Sequence, residues 1–78
     1  MKPQQIRQGA CYSNGSFGNN WTVWQVADVQ PASNGDVIRY RVLVGEDRRK
    51  YKQLPRDEFA SQVHYEVVLV ENTWQKIE

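Results

Sequence analysis

The sequence predicts a mainly β protein, a small barrel of about five or six antiparallel strands with one short helix before the last strands. Three observations carry this prediction. Residues 37–44 alternate between apolar and polar side chains, as in a strand with one buried face. Asn34-Gly35, just before them, is typical of a β-hairpin turn. Pro55, followed by Asp57 and Glu58, is typical of the first turn of a helix.

The length of 78 residues corresponds to one domain near the lower size limit for unaided folding. We expect residues 1–8 to be a loosely ordered N-terminus and residues 9–78 to form the barrel domain. With one cysteine, Cys11, and one histidine, His64, the chain has neither a disulfide nor the usual ligands of a closed zinc site. The core must therefore come from packing, and three Trp, four Tyr and two Phe residues supply large apolar side chains.

The other elements are placed by runs of β-branched and aromatic residues between turn-forming residues. In chain order, the predicted elements are strands at 10–13, 21–30, 37–44 and 48–54, a helix of about eight or nine residues from Pro55, and strands at 64–71 and 73–77. The long segment between the first two strands, residues 14–20, is predicted to be a loop.

Alternation predicts which side chains of the third strand are buried. The apolar face comprises Ile38, Tyr40, Val42 and Val44. Arg39 and Arg41 share the opposite, solvent-facing side. Phe59 and Val63, four residues apart, form the buried stripe of the helix. Strand two is apolar on both alternations, so it must bend at a bulge if both sets contribute to one core.

Four segments of the chain have a recognisable layout: Gly9-Ala10-Cys11-Tyr12, Val26-Ala27-Asp28-Val29, residues 39–45, and Asp57-Glu58-Phe59. This layout resembles small bacterial SH3-like and Tudor-like proteins over about residues 9–67. The resemblance implies an SH3-like barrel, with a loop after the first strand and a helical turn before the last. It implies no particular chemistry. An OB-like small barrel and an open sheet with one helix lying on it are the alternatives.

The reactive residues indicate that the protein is not an enzyme and holds no cofactor. His64 could act as a general base only with a nucleophile, and no serine or cysteine motif accompanies it. Cys11 has no neighbouring base in sequence that would activate its thiol. The glycine-rich residues 14–18 lack the lysine and following helix of a phosphate-binding loop. An oligomeric enzyme with a shared site is the weaker alternative. Type II dihydrofolate reductase is a short SH3-like barrel of that kind, but its Val-Gln-Ile-Tyr motif is absent.

Charge is unevenly distributed along the chain. Residues 39–56 hold seven basic and two acidic residues, whereas residues 57–78 hold five acidic and one basic. The candidate binding surface consists of Arg39, Arg41, Arg48, Arg49, Lys50, Tyr51 and Lys52. Cations interleaved with an aromatic ring are typical of nucleic-acid contact, although charges also protect exposed strand edges. Phe17 and Trp24 are candidate exposed aromatics.

These observations favour a non-catalytic binding or adaptor module that contacts nucleic acid or a protein partner. A homo-oligomeric structural protein is the alternative, because residues 67–70 and strand two are apolar on both faces. We expect no metal and no membrane partner, since no apolar run approaches the roughly 20 residues of a membrane helix. The N-terminus lacks a signal-peptide pattern and the cysteine is unpaired, so a cytoplasmic location is expected.

Overall fold

The computed structural model describes residues 1–15 and 20–77. It contains strands β1 (Cys11–Ser13), β2 (Val23–Gln30), β3 (Val37–Val44), β4 (Tyr51–Pro55), β5 (Tyr65–Val70) and β6 (Thr73–Lys76), with helix α1 (Arg56–Gln62) between β4 and β5. A short 3₁₀ helix at Pro3–Gln5 precedes β1. The predicted mainly β fold, with one short α-helix before the last strands, is confirmed.

The six strands form one antiparallel sheet in the order β4-β3-β2-β1-β5-β6. Strands β4 and β6 lie at opposite edges and do not pair with each other, so the predicted barrel is not closed. Closure requires the two edge strands to pair. Here β4 runs directly into α1, which packs back against β3 and β4. The open sheet with one helix lying on it describes the architecture.

The strand register divides the sheet into two faces, because residues directly opposite each other in antiparallel strands point to the same side. Tyr12 lies opposite Trp24, and Trp24 opposite Val42, on the side that α1 covers. We call this side the helix face. Cys11 and its partners lie on the other side, which we call the open face.

The core lies between the helix face and α1, and Phe59 of α1 is at its centre. The Phe59 side chain is completely buried. Its ring centroid lies 5.9 Å from that of Tyr12, 5.6 Å from that of Trp24 and 5.2 Å from that of Tyr40. The predicted burial of Ile38, Tyr40, Val42, Phe59 and Val63 is confirmed, and Val44 is half-buried.

Two irregularities in the β2–β3 ladder let β2 contribute to the core along its length. Leu43 is an extra residue in β3, and Ala27 is an extra residue in β2. Because of the second irregularity, Val26 and Val29 both pack with the core although they are three residues apart. The bend predicted for this strand is confirmed.

The N-terminal segment expected to be loosely ordered is packed against α1. Ile6 is only 3% exposed. The Arg56 Nη1 atom donates hydrogen bonds to the carbonyl oxygens of Pro3 and Ile6, at 2.9 and 2.8 Å. The amino nitrogen of Met1 donates to two backbone carbonyls at the end of α1, at 3.0 Å each. Residues 1–8 contain one large aliphatic residue, Ile6, and no apolar pattern, so the sequence predicted a loose segment. The hydrogen bonds from Arg56 that hold the segment join residues 50 and 53 positions apart in the chain.

Replacing Phe59 with alanine should lower the free energy of unfolding by about 3–5 kcal/mol, because it leaves a cavity among three aromatic rings. Chemical denaturation followed by far-ultraviolet circular dichroism measures this loss. Tyr51→Ala is the control: Tyr51 is 53% exposed, and its replacement should lower the free energy of unfolding by only about 1 kcal/mol. Equal losses in the two variants would contradict the assignment of the core.

Replacing Arg56 with alanine should release the N-terminal segment, because two backbone carbonyls lose their donor and Asp36 loses its partner at 2.9 Å. The expected destabilisation is about 1–3 kcal/mol. Limited proteolysis should cut within residues 1–8 faster than in the unmutated protein, while the remainder stays resistant. Unchanged cleavage would show that the other contacts of this segment, the burial of Ile6 and the hydrogen bonds of Met1 and Tyr12, hold it without Arg56.

Candidate binding surface

Three of the predicted surface residues come together on the open face: Arg39, Arg41 and Tyr51. Tyr51 lies directly opposite Arg41 in the β3–β4 ladder. The guanidinium carbon of Arg39 is 4.6 Å from the centroid of the Tyr51 ring, and that of Arg41 is 5.8 Å away. Both distances suit cation–π attraction. We call this group the Arg–Tyr cluster.

The two arginines of the cluster differ in their other contacts. Arg39 forms an ion pair with Asp28 at 3.5 Å, and both side chains are partly exposed, so the pair is weak. The Nε atom of Arg41 is buried and has no hydrogen-bond partner in the described part of the chain. An unsatisfied buried donor is costly, so the Nε atom of Arg41 destabilises the side chain in this position.

The register places Lys52 on the other side of the sheet from the Arg–Tyr cluster. Lys52 lies opposite Tyr40, on the helix face. Its Nζ atom is 2.7 Å from Asp47, and that of Lys50 is 3.4 Å from the same carboxylate. These hydrogen bonds lower the pKa of Asp47, and the bond that Lys52 donates to Asp47 raises the pKa of Lys52. The structure therefore divides the predicted basic surface between two faces.

Arg48 and Arg49 lie in the turn between β3 and β4, and both are exposed. The backbone N–H of Arg49 donates to the Val42 carbonyl at 2.7 Å, and Arg49 adopts a φ of 73°. Arg48 lies at the rim of a depression that Leu69 and Trp74 also line. Arg49 is thus part of the turn that closes the hairpin, whereas Arg48 borders the open face.

An apolar groove on the open face adjoins the Arg–Tyr cluster, and sequence reasoning did not locate it. Its open volume is about 660 Å³. Side chains that line it include Cys11, Gln25, Leu43, Val67, Leu69 and Trp74. Leu43 and Trp74 belong to strands that are not neighbours, so the sheet must curl to bring them around one groove. In the sequence, the one indication of this groove is that residues 67–70 are apolar on both faces of the predicted strand.

A continuous row of paired residues crosses the open face from one edge of the sheet to the other. The row consists of Tyr51, Arg41, Gln25, Cys11, Val67 and Lys76. At about 4.8 Å between strands, it spans about 24 Å along the sheet. At its far end the Nζ atom of Lys76 lies 5.2 Å from the centroid of the Tyr65 ring. A cation and an aromatic ring therefore stand at each end, with the groove between them.

The carboxylates near the open face are paired with arginines. Glu66 lies opposite Tyr12, on the helix face by register, but borders the groove and contacts Arg7 at 2.6 Å; Asp28, on the open face, contacts Arg39. Asp57 and Glu58 belong to the first turn of α1, which packs on the opposite face. Of these four carboxylates, Asp28 is the one paired with the Arg–Tyr cluster, where it meets two guanidinium groups.

The two aromatic residues expected to be exposed have different outcomes. Phe17 lies outside the described residues. Trp24 is half-buried on the helix face, with its ring centroid 4.6 Å from that of Tyr40. Its register opposite Tyr12 and Val42 turns it toward the core rather than toward solvent. Aromatic residues on the open face include Tyr51, Tyr65 and Trp74.

The one cysteine and the one histidine lie in different parts of the fold: Cys11 begins β1, and His64 lies between α1 and β5. Cys11 is partly exposed at the groove, and burial together with the charge of Glu66 raises the pKa of its thiol above 9.0. His64 is exposed. Within residues 1–15 and 20–77, no group of three or more His, Cys, Asp or Glu side chains could hold a metal ion. In the same ranges no helix has the length and apolar character needed to cross a membrane.

Comparisons of the chain with protein-family models, with curated proteins and with solved structures found no match. The resemblance to SH3-like and Tudor-like proteins therefore stays a prediction. Because a fold by itself hosts many functions, the function must be inferred from the surface geometry.

The raised thiol pKa predicts that Cys11 reacts slowly with iodoacetamide. Below the folded-state pKa, the folded protein holds less thiolate than the unfolded chain, in which the pKa is near its ordinary value of 9.0. Mass spectrometry at pH 8 should show slower alkylation than for the same protein in guanidinium chloride. The difference should narrow as the pH rises through the folded-state pKa. Equal rates at pH 8 would show that the groove does not shield the thiol.

Proposed function

We propose that this protein is a non-catalytic binding module whose open face binds single-stranded nucleic acid. The proposal depends on one observation: two arginines flank a largely exposed tyrosine ring on a sheet face that α1 does not cover. Cations on such a surface neutralise phosphates, and an exposed ring stacks on an unpaired base. The Arg41 guanidinium, 5.8 Å from the Tyr51 ring, adds a second cation for a phosphate beside the stacked base.

The shape of the open face favours a single strand over a duplex. In a duplex the bases are stacked and paired, so neither Tyr51 nor the groove could contact their flat faces. In a single strand the bases are free to stack on aromatic side chains. The row from Tyr51 to Lys76 is long enough for several nucleotides, and the groove offers apolar surface for a base between the two charged ends.

The charge of the protein sets the expected strength of binding. A net charge of +1 favours weak and salt-sensitive association rather than tight non-specific binding. We expect dissociation constants below about 100 μM at low salt, within the range of non-specific nucleic-acid binding. Fluorescence anisotropy with labelled single-stranded DNA and RNA, and with a duplex of the same sequence, measures this. Failure of the unmutated protein to bind any oligonucleotide would exclude the proposal.

Replacing Arg41 with glutamine should weaken binding about equally for all sequences and reduce the logarithmic salt slope by about 0.7 to 1, because one phosphate contact is lost. The matched control is Lys52→Gln. This substitution also removes one positive charge, but from the helix face of β4, where Asp47 already pairs with Lys52. We expect its affinity and salt slope to stay unchanged. If the two variants lost affinity equally, binding would depend on overall charge and not on the Arg–Tyr cluster.

A further inference from the structure

Exposed apolar side chains are concentrated in the β5–β6 hairpin. Among the described residues, the large hydrophobic side chains with the greatest exposure, apart from Tyr51, are Val68 (43%), Leu69 (50%), Val70 (41%) and Ile77 (42%). Val68 and Val70 alternate with Leu69, so both faces of β5 are apolar near its end. Val68, Val70 and Ile77 face one side of the sheet and Leu69 the other, so the hairpin exposes apolar side chains on both sides of the β6 edge.

The two edges of the sheet differ in their protection against pairing with another strand. Strand β4 carries Lys52, ends at Pro55, which has no N–H to donate, and continues directly into α1. Charge and proline are the usual means of blocking an edge. Strand β6 contains no proline and a single charged residue, Lys76. In the described part of the chain nothing pairs with its outer side.

The hydrogen bonds of β6 show which of its backbone groups are free. The N–H of Ile77 donates to the Glu66 carbonyl of β5 at 2.9 Å. Because successive residues of a strand direct their backbone groups to opposite sides, Gln75 also faces β5. The N–H and C=O groups of Trp74 and Lys76 therefore point outward, toward the unpaired edge.

We propose that β6 pairs with β6 of a second copy of this chain, antiparallel and about a two-fold axis through Gln75. In this register Trp74 of one copy lies opposite Lys76 of the other, and each such pair exchanges two hydrogen bonds. The Lys76 ammonium group then lies beside the Trp74 indole ring, which favours the contact. Ile77 comes opposite Thr73 of the second copy.

Neighbouring registers are less favourable. Centring the axis on Lys76 would place two ammonium groups opposite each other, which is destabilising. Centring it on Trp74 would pair Lys76 with Asn72, which lies in the β5–β6 turn at a φ of 65° and cannot continue a strand. The register through Gln75 thus uses every outward group of the strand without placing like charges together. A second copy supplies the matching Trp74 and Lys76 by symmetry.

The pairing has a geometric consequence. Trp74 and Lys76 both lie on the open face, so the open faces of the two copies lie on the same side of one continuous sheet. Dimerisation through β6 does not require nucleic-acid binding, because the unpaired backbone groups of Trp74 and Lys76 form it; Lys76 also stands at one end of the row proposed to bind nucleic acid.

Sedimentation equilibrium tests the dimer, from about 10 μM to about 1 mM to cover weak association. The unmutated protein should approach twice 9.1 kDa at the higher concentrations. Lys76→Pro removes an N–H that faces outward, so it should keep the β5–β6 ladder and remain monomeric. Lys76→Arg retains both the N–H and the charge, and should dimerise like the unmutated protein. A 9.1 kDa species at all concentrations, or a dimer that persists in Lys76→Pro, would overturn the proposal.

Amide hydrogen exchange provides a second readout that needs no variant. With rising protein concentration, the amides of Trp74 and Lys76 should exchange at least several-fold more slowly, since they become hydrogen-bonded only in the dimer. The amide of Gln75 already faces β5 and should change less. If Lys76→Pro does not fold, the alternation along β6, with slowed exchange at Trp74 and Lys76 and little change at Gln75, tests the dimer instead. Uniform slowing along the strand, or none, would contradict pairing of the two β6 edges.

Discussion

The packing of Phe59 against Tyr12, Trp24 and Tyr40 is the contact on which the rest of the structure depends. Three strands supply these rings, and a seven-residue helix brings Phe59 onto them. A chain of this size buries only about 60% of its unfolded surface, so a few large aromatic residues must provide much of the core. The helix therefore covers one face of the sheet, and the opposite face stays open.

The N-terminal segment completes this core from outside the sheet. The Tyr12 hydroxyl donates to the Gln5 carbonyl and accepts a hydrogen bond from the Arg7 N–H, each at 3.0 Å. The buried phenol is thereby satisfied, which a buried polar group requires. Burial raises the pKa values of Tyr12 and Tyr40 above 10.0, so the neutral phenols stabilise the fold and this stabilisation is lost as the pH rises through the folded-state values.

The open face combines features that a core could not accommodate. Two arginines and an exposed tyrosine ring lie beside an apolar groove, while the acidic start of α1 lies on the other side of the sheet. The extra residue Leu43 both bends β3 and lines this groove. The bulge at Ala27 thus lets β2 serve the core, and the bulge at Leu43 helps to shape the surface that we propose as the binding site.

Local features were predictable from sequence: the buried alternation of Ile38, Tyr40 and Val42, the helix start after Pro55, and the exposure of Arg39 each depend on residues a few positions apart. Sequence alone did not predict that Lys52 and Tyr51 lie on opposite faces of the sheet, that Ile6 is part of the core, or that the sheet stays open. Those outcomes depend on register and on contacts between distant segments. A shift of one residue exchanges the two faces of a strand, so only the tertiary structure decides which cations meet.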